Sequence, residues 1–300
     1  MSVFLEYTAC RKDSGGTFEE ISTRHLGVSS GLLKELKYAK KIFINGIPCR
    51  SVDKVYESDK ISLDVSEKIE KCEIEKPFKY DLDILYEDDF FIVVNKPGEM
   101  ECHPCHSNYT STLANCLAYY WLKKGEYHKC HIVNRLDRGT SGICVVAKNR
   151  FAHGRLSFAM KNKTFQKYYT AIVHGDITPD CGVIDLPIGR SDDSIIKRNV
   201  QEDGKRAVTL YEKIGAVNDY SVVNIKLETG RTHQIRVHFS HINHPLVGDW
   251  LYGNGDKEKE LISRQALHCQ RISFPHPATN ENMEFTLDLP EDMKSLLKTF

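Results

Sequence analysis

The 300-residue chain has no excess of charge of either sign, with 41 Lys and Arg against 41 Asp and Glu. No global field marks it for a polyanion, so any nucleic-acid site has to be a local patch. The first residues, MSVFLEYTACRKD, lack the basic start and long apolar run of a signal peptide. The longest stretch without Lys, Arg, Asp or Glu, Cys102 to Leu122, holds His103, Pro104, His106, Ser107 and Asn108 and is too polar to span a bilayer. These absences predict a soluble, cytoplasmic chain with no membrane partner. Regular cysteine spacing is missing too: the ten cysteines are scattered, and in a reducing compartment they read as thiols, many of them buried. Neither a phosphate-binding glycine loop nor a dinucleotide fingerprint is present.

One cluster invites a metal. Cys102-His103-Pro104-Cys105-His106 has the density of a zinc or haem attachment site, but structural zinc needs four ligands and no second paired cluster follows at zinc-like spacing. Covalent haem would suit an exported protein. The segment therefore reads as a loop, and no metal or cofactor is expected. Four histidines at 233, 238, 241 and 244 crowd a later segment, again without a carboxylate or thiol set at recognisable spacing, so packing and polar contacts are the expectation there.

What the chain does have is a polar loop feeding an apolar strand at its centre. IVNRLDRGTSGICVVAK, Ile132 to Lys148, places Asp137 between Arg135 and Arg138, continues through Gly139, Thr140, Ser141 and Gly142, and enters the run Ile143 to Ala147. Taken alone, such an Asp/Arg set would merely hold a loop.

Around it two units are expected. Residues 1–70 contain two short helices between Glu20 and Tyr38, then IFINGIPC, where alternation and Asn45-Gly46 signal a hairpin. From Arg24 to Lys60 eight basic residues (24, 34, 37, 40, 41, 50, 54, 60) meet four acidic ones (35, 53, 57, 59). Residues 71–80 fall in a charge-rich linker, and 81–300 form the larger unit. That unit shows a strand ending at Asn95-Lys96-Pro97-Gly98, an amphipathic helix from Ser111 to Lys124 capped by Ser111 or Thr110, and a helix from Asn149 to Lys161. TFQKYYTAIVHGD reads as a strand with an aromatic hydroxyl mid-strand, and 190–206 as a polar, mobile excursion. In RTHQIRVHFSHINHP strand and helix periods compete; Thr232 as cap, Asn243 as left-handed terminator and Pro245 beyond it favour a short helix.

NKPG, NRLDRGTSG, KYYTAIVHG, TGRTHQIRVH and HPLVGDWLYG, in this order, resemble the RluA-type pseudouridine synthases over roughly residues 82–290. The two-helix unit running into INGIPC resembles the small RNA-binding module named after ribosomal protein S-four. The resemblance implies an α+β fold with a mixed, largely antiparallel sheet, and isomerisation of uridine in structured RNA with no redox change, energy source or cofactor. Large-subunit ribosomal RNA is the expected substrate, with transfer RNA as the alternative. A non-catalytic RNA-binding or ribosome-assembly factor and a metal-dependent RNA hydrolase are the rivals. A monomer is expected.

The same resemblance implies the roles of the site residues. Asp137 starts the reaction, by attack at the anomeric carbon or by removing a proton from the neighbouring sugar carbon. Arg236 is its basic partner, whose guanidinium would favour the charged carboxylate and fix its orientation. Tyr169 stacks on the extruded base, and Arg135 fills the space the base leaves. Asn134, Arg138, Lys96, Arg231, His233 and Gln234 are expected to contact RNA, as are Lys34, Lys37, Lys40 and Lys41 of the first unit. Many members of the family have His where this chain has Asn134.

Overall fold

Two capped helices open the chain because the sequence supplies both ends of each. Thr17 and Glu20 form a reciprocal capping box, Gly27 ends the first helix at φ 63°, and Ser29 accepts from the Leu32 amide to start the second. The computed structural model describes residues 3–67, 75–105, 108–191, 194–255 and 257–299. In chain order the first part comprises β1 (Phe4–Thr8), β2 (Gly16–Thr17), α1 (Phe18–Leu26), α2 (Ser30–Tyr38), β3 (Ile42–Ile44), β4 (Ile47–Pro48), β5 (Lys54–Val55) and β6 (Lys60–Asp64). Asn45 and Gly46, both at positive φ, turn β3 into β4 as the Asn-Gly pair predicts. The sheet runs β1-β6-β3-β4, all antiparallel. Phe18 and Ile21 of α1 and Leu33 and Leu36 of α2 share a core with Ile42, Ile61 and Leu63.

The second part comprises β7 (Asp83–Glu87), β8 (Phe91–Lys96), α3 (Leu113–Lys123), β9 (His131–Ile132), β10 (Ser141–Ala147), α4 (Arg150–Lys161), β11 (Gln166–His174), β12 (Cys181–Asp185), β13 (Ile188–Arg190), β14 (Arg198–Val200), β15 (Val208–Val217), β16 (Tyr220–Leu227), α5 (Gln234–His241), β17 (Leu267–Pro275), β18 (Asn282–Thr286) and α6 (Glu291–Thr299). The main sheet runs β12-β15-β16-β11-β17-β10-β8-β7, with β18 beside β17 and β9 beside β10. Among these pairings only β10 with β17 is parallel, so the fold is α+β with a mixed, largely antiparallel sheet. Strand β10 is buried along its whole length, which is why its sequence reads as a continuous apolar run rather than an alternation. Phe151 at the start of α4 lies in the core of the first part, so the two parts share side-chain packing.

Three sequence expectations shift. The helix expected from Ser111 begins at Leu113, because Thr112 and Asn115 close the capping box. The fifth helix is preceded not by a capping Thr232 but by His233 at φ 58°, while Asn243 does terminate it at φ 63°. The excursion at 190–206 carries structure. β13 and β14 form an antiparallel hairpin, and the Arg198 amide donates to the Tyr252 hydroxyl at 2.9 Å. Polarity there reflects a two-stranded element outside the main sheet rather than absence of one. Of the expected linker, residues 71–74 lie outside the described residues.

Candidate active site

The central loop is built by its neighbours on both sides. The Asn134 side chain lies along β10, accepting from the Val145 amide at 2.8 Å and donating to the Ile143 carbonyl at 3.0 Å, so it imitates one further step of strand pairing. Lys96, fully buried at the end of β8, donates to the carbonyls of Pro97 and Met100 at 2.8 and 2.6 Å, and burial pushes its pKa down. The turn it fixes presents the Gly98 carbonyl to the Gly139 amide at 2.6 Å. From the other side Arg264 donates to the Gly139 carbonyl at 2.9 Å, and Gln265 to the Arg138 carbonyl and the Thr140 hydroxyl at 2.8 and 3.1 Å. Asp292 of α6 holds Arg264 through two bonds of 2.6 and 2.9 Å. Gly139 sits at φ 88° and Gly142 at φ 113°, and a methyl group at 142 would fall on the Cys269 backbone. That close approach is what brings β10 against β17.

So supported, the loop carries Asp137 into a polar cleft of about 1030 Å³, large enough for a nucleotide. Its carboxylate is 30% exposed. Arg236 enters from α5, buried, and its Nη1 stands 3.9 Å from Asp137 Oδ2. Its Nε and Nη2 are taken by Asp249, fully buried, at 2.6 and 2.8 Å. Burial opposes the charge on Arg236, but the Asp249 carboxylate more than offsets it and raises the pKa. The expected Arg236–Asp137 pairing is therefore one arm of a three-member set, and at 3.9 Å it is an ion pair too long for a hydrogen bond. His233 Nε2 stands 4.0 Å from the same Asp137 oxygen, and its Nδ1 is 2.9 Å from the Tyr252 hydroxyl. Tyr252 lies under the Arg236 guanidinium at 5.0 Å.

Tyr169 comes to the cleft from β11, where a bulge between Tyr168 and Tyr169 resets its register against β17. It is 5% exposed, and burial first, then the surrounding Cys269 and Asp137, hold its phenol well above the usual range. Arg135 is exposed on the cleft and makes no hydrogen bond or ion pair with a described residue, which leaves it free for a ligand. Arg138 is exposed, 3.9 Å from Glu101. Arg231 is exposed at the rim, with Nε bonded to the Arg206 carbonyl at 2.9 Å.

Other expected RNA contacts turn inward. Asn134, Lys96 and Gln234 are each no more than 3% exposed. Gln234 accepts from Thr229 and the Arg231 amide and donates to Val208 and Thr209. Their polar atoms are spent on the protein, so they shape the site rather than touch a ligand. The first unit's lysines do not line the cleft. Lys34, Lys37 and Lys40 are exposed, whereas Lys41 is committed to Asp64 and the Ser66 carbonyl at 3.2 and 2.5 Å. In the Cys/His-rich segment Cys102 packs against Leu136, Cys105 is exposed, and His106 lies outside the described residues. His238 bonds Thr209 and Leu186, and His244 bonds the His174 carbonyl.

Sequence reasoning missed Asp249, Tyr252, Arg264 and Gln265. The first two lie in HPLVGDWLYG, a segment that stood out as a motif without its residues being given roles.

Residues 90–241 match the family described as RNA pseudouridylate synthase. An RNA pseudouridine synthase of Bacillus subtilis, YjbO, is 42% identical over 275 residues, which is 91% of this chain and 95% of the relative. The chain belongs to the RNA pseudouridylate synthase family. It is an isomerase of RluA type that acts on RNA. The ribosomal large subunit pseudouridine synthase D of Neisseria meningitidis is 39% identical over 266 residues, 85% of this chain and 71% of that protein. Among solved structures, human RNA pseudouridylate synthase domain containing 1 is similar with a TM-score of 0.58 at 29% identity, over 69% of this chain and 83% of that one. In this synthase the cleft around Asp137 is the candidate active site.

Proposed function

We propose that the protein isomerises specific uridines of large-subunit ribosomal RNA, with Asp137 as the essential residue. The observation that carries the reading is the placement of a partly exposed carboxylate, on a loop braced from both sides, at the mouth of a nucleotide-sized cleft lined by Tyr169 and Arg236. The choice of RNA follows the name of the Neisseria relative.

In this reading the target uridine leaves its stack at a cost of a few kcal/mol, and the unpartnered Arg135 occupies the gap. The base stacks on Tyr169. Asp137 then acts on the sugar, at the anomeric carbon or at the proton of its neighbour, which is later returned; the nitrogen–sugar bond breaks, the base turns, its C5 bonds the anomeric carbon, and C5 loses a proton while the freed nitrogen gains one. Arg236, anchored by Asp249, faces the carboxylate and keeps it aimed. Residues 1–70 serve as an accessory RNA-binding module, 71–80 as linker and 81–300 as the catalytic domain. The exposed Lys34, Lys37 and Lys40 of the module meet phosphates.

The test is a transcriptome-wide map of pseudouridine in cells lacking the protein, complemented with the native chain or with Asp137→Asn. The expected result is a large-subunit ribosomal RNA site restored by the native chain alone. Restoration by both would remove Asp137 from its role, and a restored site in transfer RNA would replace the substrate.

A further inference from the structure

Counting donors and acceptors around Tyr252 favours one arrangement of its protons. Its oxygen already accepts the Arg198 amide at 2.9 Å and lies 2.9 Å from His233 Nδ1. No other acceptor for the phenol proton exists among the described residues. If Nδ1 carried a proton, the phenol oxygen would accept twice and its own O–H would have no acceptor among the described residues. The arrangement that satisfies every group has Tyr252 donating to a bare Nδ1, which leaves the imidazole proton on Nε2. Nε2 is the nitrogen 4.0 Å from Asp137 Oδ2.

Resting on the assignment of Asp137 made above, we propose that His233 is a positioning residue: a neutral imidazole whose Nε2–H, set by Tyr252 and through it by the β13–β14 hairpin, orients the Asp137 carboxylate for reaction. A 4.0 Å separation is too long for a hydrogen bond, and the positioning role requires it to shorten with substrate bound. Several features hold the imidazole in this state. It is partly buried, with 13% of its side chain exposed, and faces Asp137, Arg236, Asp249, Arg198 and Tyr252; desolvation is the largest influence and lowers its pKa, which favours the neutral ring. Tyr252 is shifted the other way, chiefly by burial, so the phenol keeps its proton. The Arg236 guanidinium over the Tyr252 ring pins it sideways. His233 also occupies the left-handed backbone region at φ 58°, a conformation unusual for a residue with a side chain.

Two substitutions separate the functions of the two nitrogens. His233→Asn tolerates the left-handed backbone and offers an acceptor to Tyr252 near the Nδ1 position, but is too short to reach Asp137. His233→Gln brings an N–H to the Nε2 position and gives up the bond to Tyr252. On the RNA substrate that the mapping identifies, His233→Asn is expected to lower kcat by about 10- to 100-fold with KM moved less than about threefold, and His233→Gln to recover to within about fivefold of native. Equal activity of the two variants, or native kcat in His233→Asn, overturns the proposal. An independent readout is the ¹⁵N spectrum of histidine-labelled full-length protein, with His233 assigned by difference against His233→Asn. A protonated Nε2 and bare Nδ1, reversed or lost in Tyr252→Phe, is expected; an Nδ1–H tautomer or an imidazolium in the native chain overturns it. Asp137→Asn is run alongside. Turnover surviving in that variant defeats the Asp137 assignment itself, whereas an inactive Asp137→Asn with a fully active His233→Asn defeats only the role of His233.

Discussion

Asp249 takes both Nε and Nη2 of Arg236, at 2.6 and 2.8 Å, and in doing so turns the remaining Nη1 toward Asp137. The guanidinium is a planar fork, so fixing two of its nitrogens fixes the third. Asp249 also accepts from the amides of Leu251 and Tyr252, which ties the fork to the backbone of the segment that carries Tyr252.

Asp249→Asn should therefore damage both stability and turnover. It strands a buried guanidinium, a loss of about 3–5 kcal/mol, measured as a lower urea midpoint at unchanged slope. Activity measured where the variant remains folded should fall as well. A native midpoint would show that Arg236 is paired elsewhere.

Gly142→Ala should cost at least about 2 kcal/mol, because the residue stands at φ 113° and its new methyl would fall on the Cys269 backbone. Gly215→Ala, where a methyl meets nothing within 4 Å, should stay within about 0.5 kcal/mol of native. Thermal unfolding of the pair compares them directly. Equal effects would mean that the β10–β17 approach is not the tight one.

Acid stability should depend on Glu87. Burial alone would raise its pKa, but bonds from Lys124 and Tyr120, with Lys148 beside it, bring it from 4.5 down to about 2. A carboxylate depressed on folding contributes stability above its unfolded pKa and loses it as pH falls through the folded one, here between about 4.5 and about 2. Glu87→Gln should lower stability at pH 7 by roughly 1–2 kcal/mol, allowing for screening by nearby solvent, and the deficit should vanish toward pH 2. Denaturant melts at pH 7, 4 and 2 check this, and a pH-independent deficit would contradict it.

Three exposed lysines of the first unit, Lys34, Lys37 and Lys40, give a salt-dependence prediction. Replacing Lys34, Lys37 and Lys40 with Ala should weaken RNA binding and reduce the slope of log affinity against log salt by roughly 0.7–0.9 for each phosphate no longer neutralised. Turnover at saturating RNA should hold. Lys41→Ala, by comparison, should show chiefly as reduced stability, since its amine is held by Asp64 and Ser66. An unchanged slope in the triple variant would remove RNA binding from that unit.

Much of the fold was legible because its signals are local. Gly27 and Ser29 mark the break between the two helices, and Asn45-Gly46 marks a turn by its own backbone preference, whereas the Thr17 cap starts the first helix at Phe18, ahead of the expected Glu20. The hairpin at 190–206 was not legible. Only three residues on each strand pair, and its attachment to Tyr252 joins segments more than fifty positions apart. Asn134, Lys96 and Gln234 were misread for a related reason. Polar residues within a motif look like ligand contacts until burial shows that their bonds close inside the protein.

The sequence by itself determined the order of the motifs and, through the family resemblance they carry, pointed to Asp137, Tyr169, Arg135 and Arg236 as candidates. Tertiary structure alone decided that Asp249 anchors Arg236, that Arg264 and Gln265 brace the loop around Asp137, and that the Tyr252 hydroxyl meets Nδ1 of His233. Each of these is a charge or hydrogen-bond pairing between segments far apart in the chain. Such pairings have no period or spacing to reveal them, because their geometry exists only once the sheet has brought β10, β17 and α5 together.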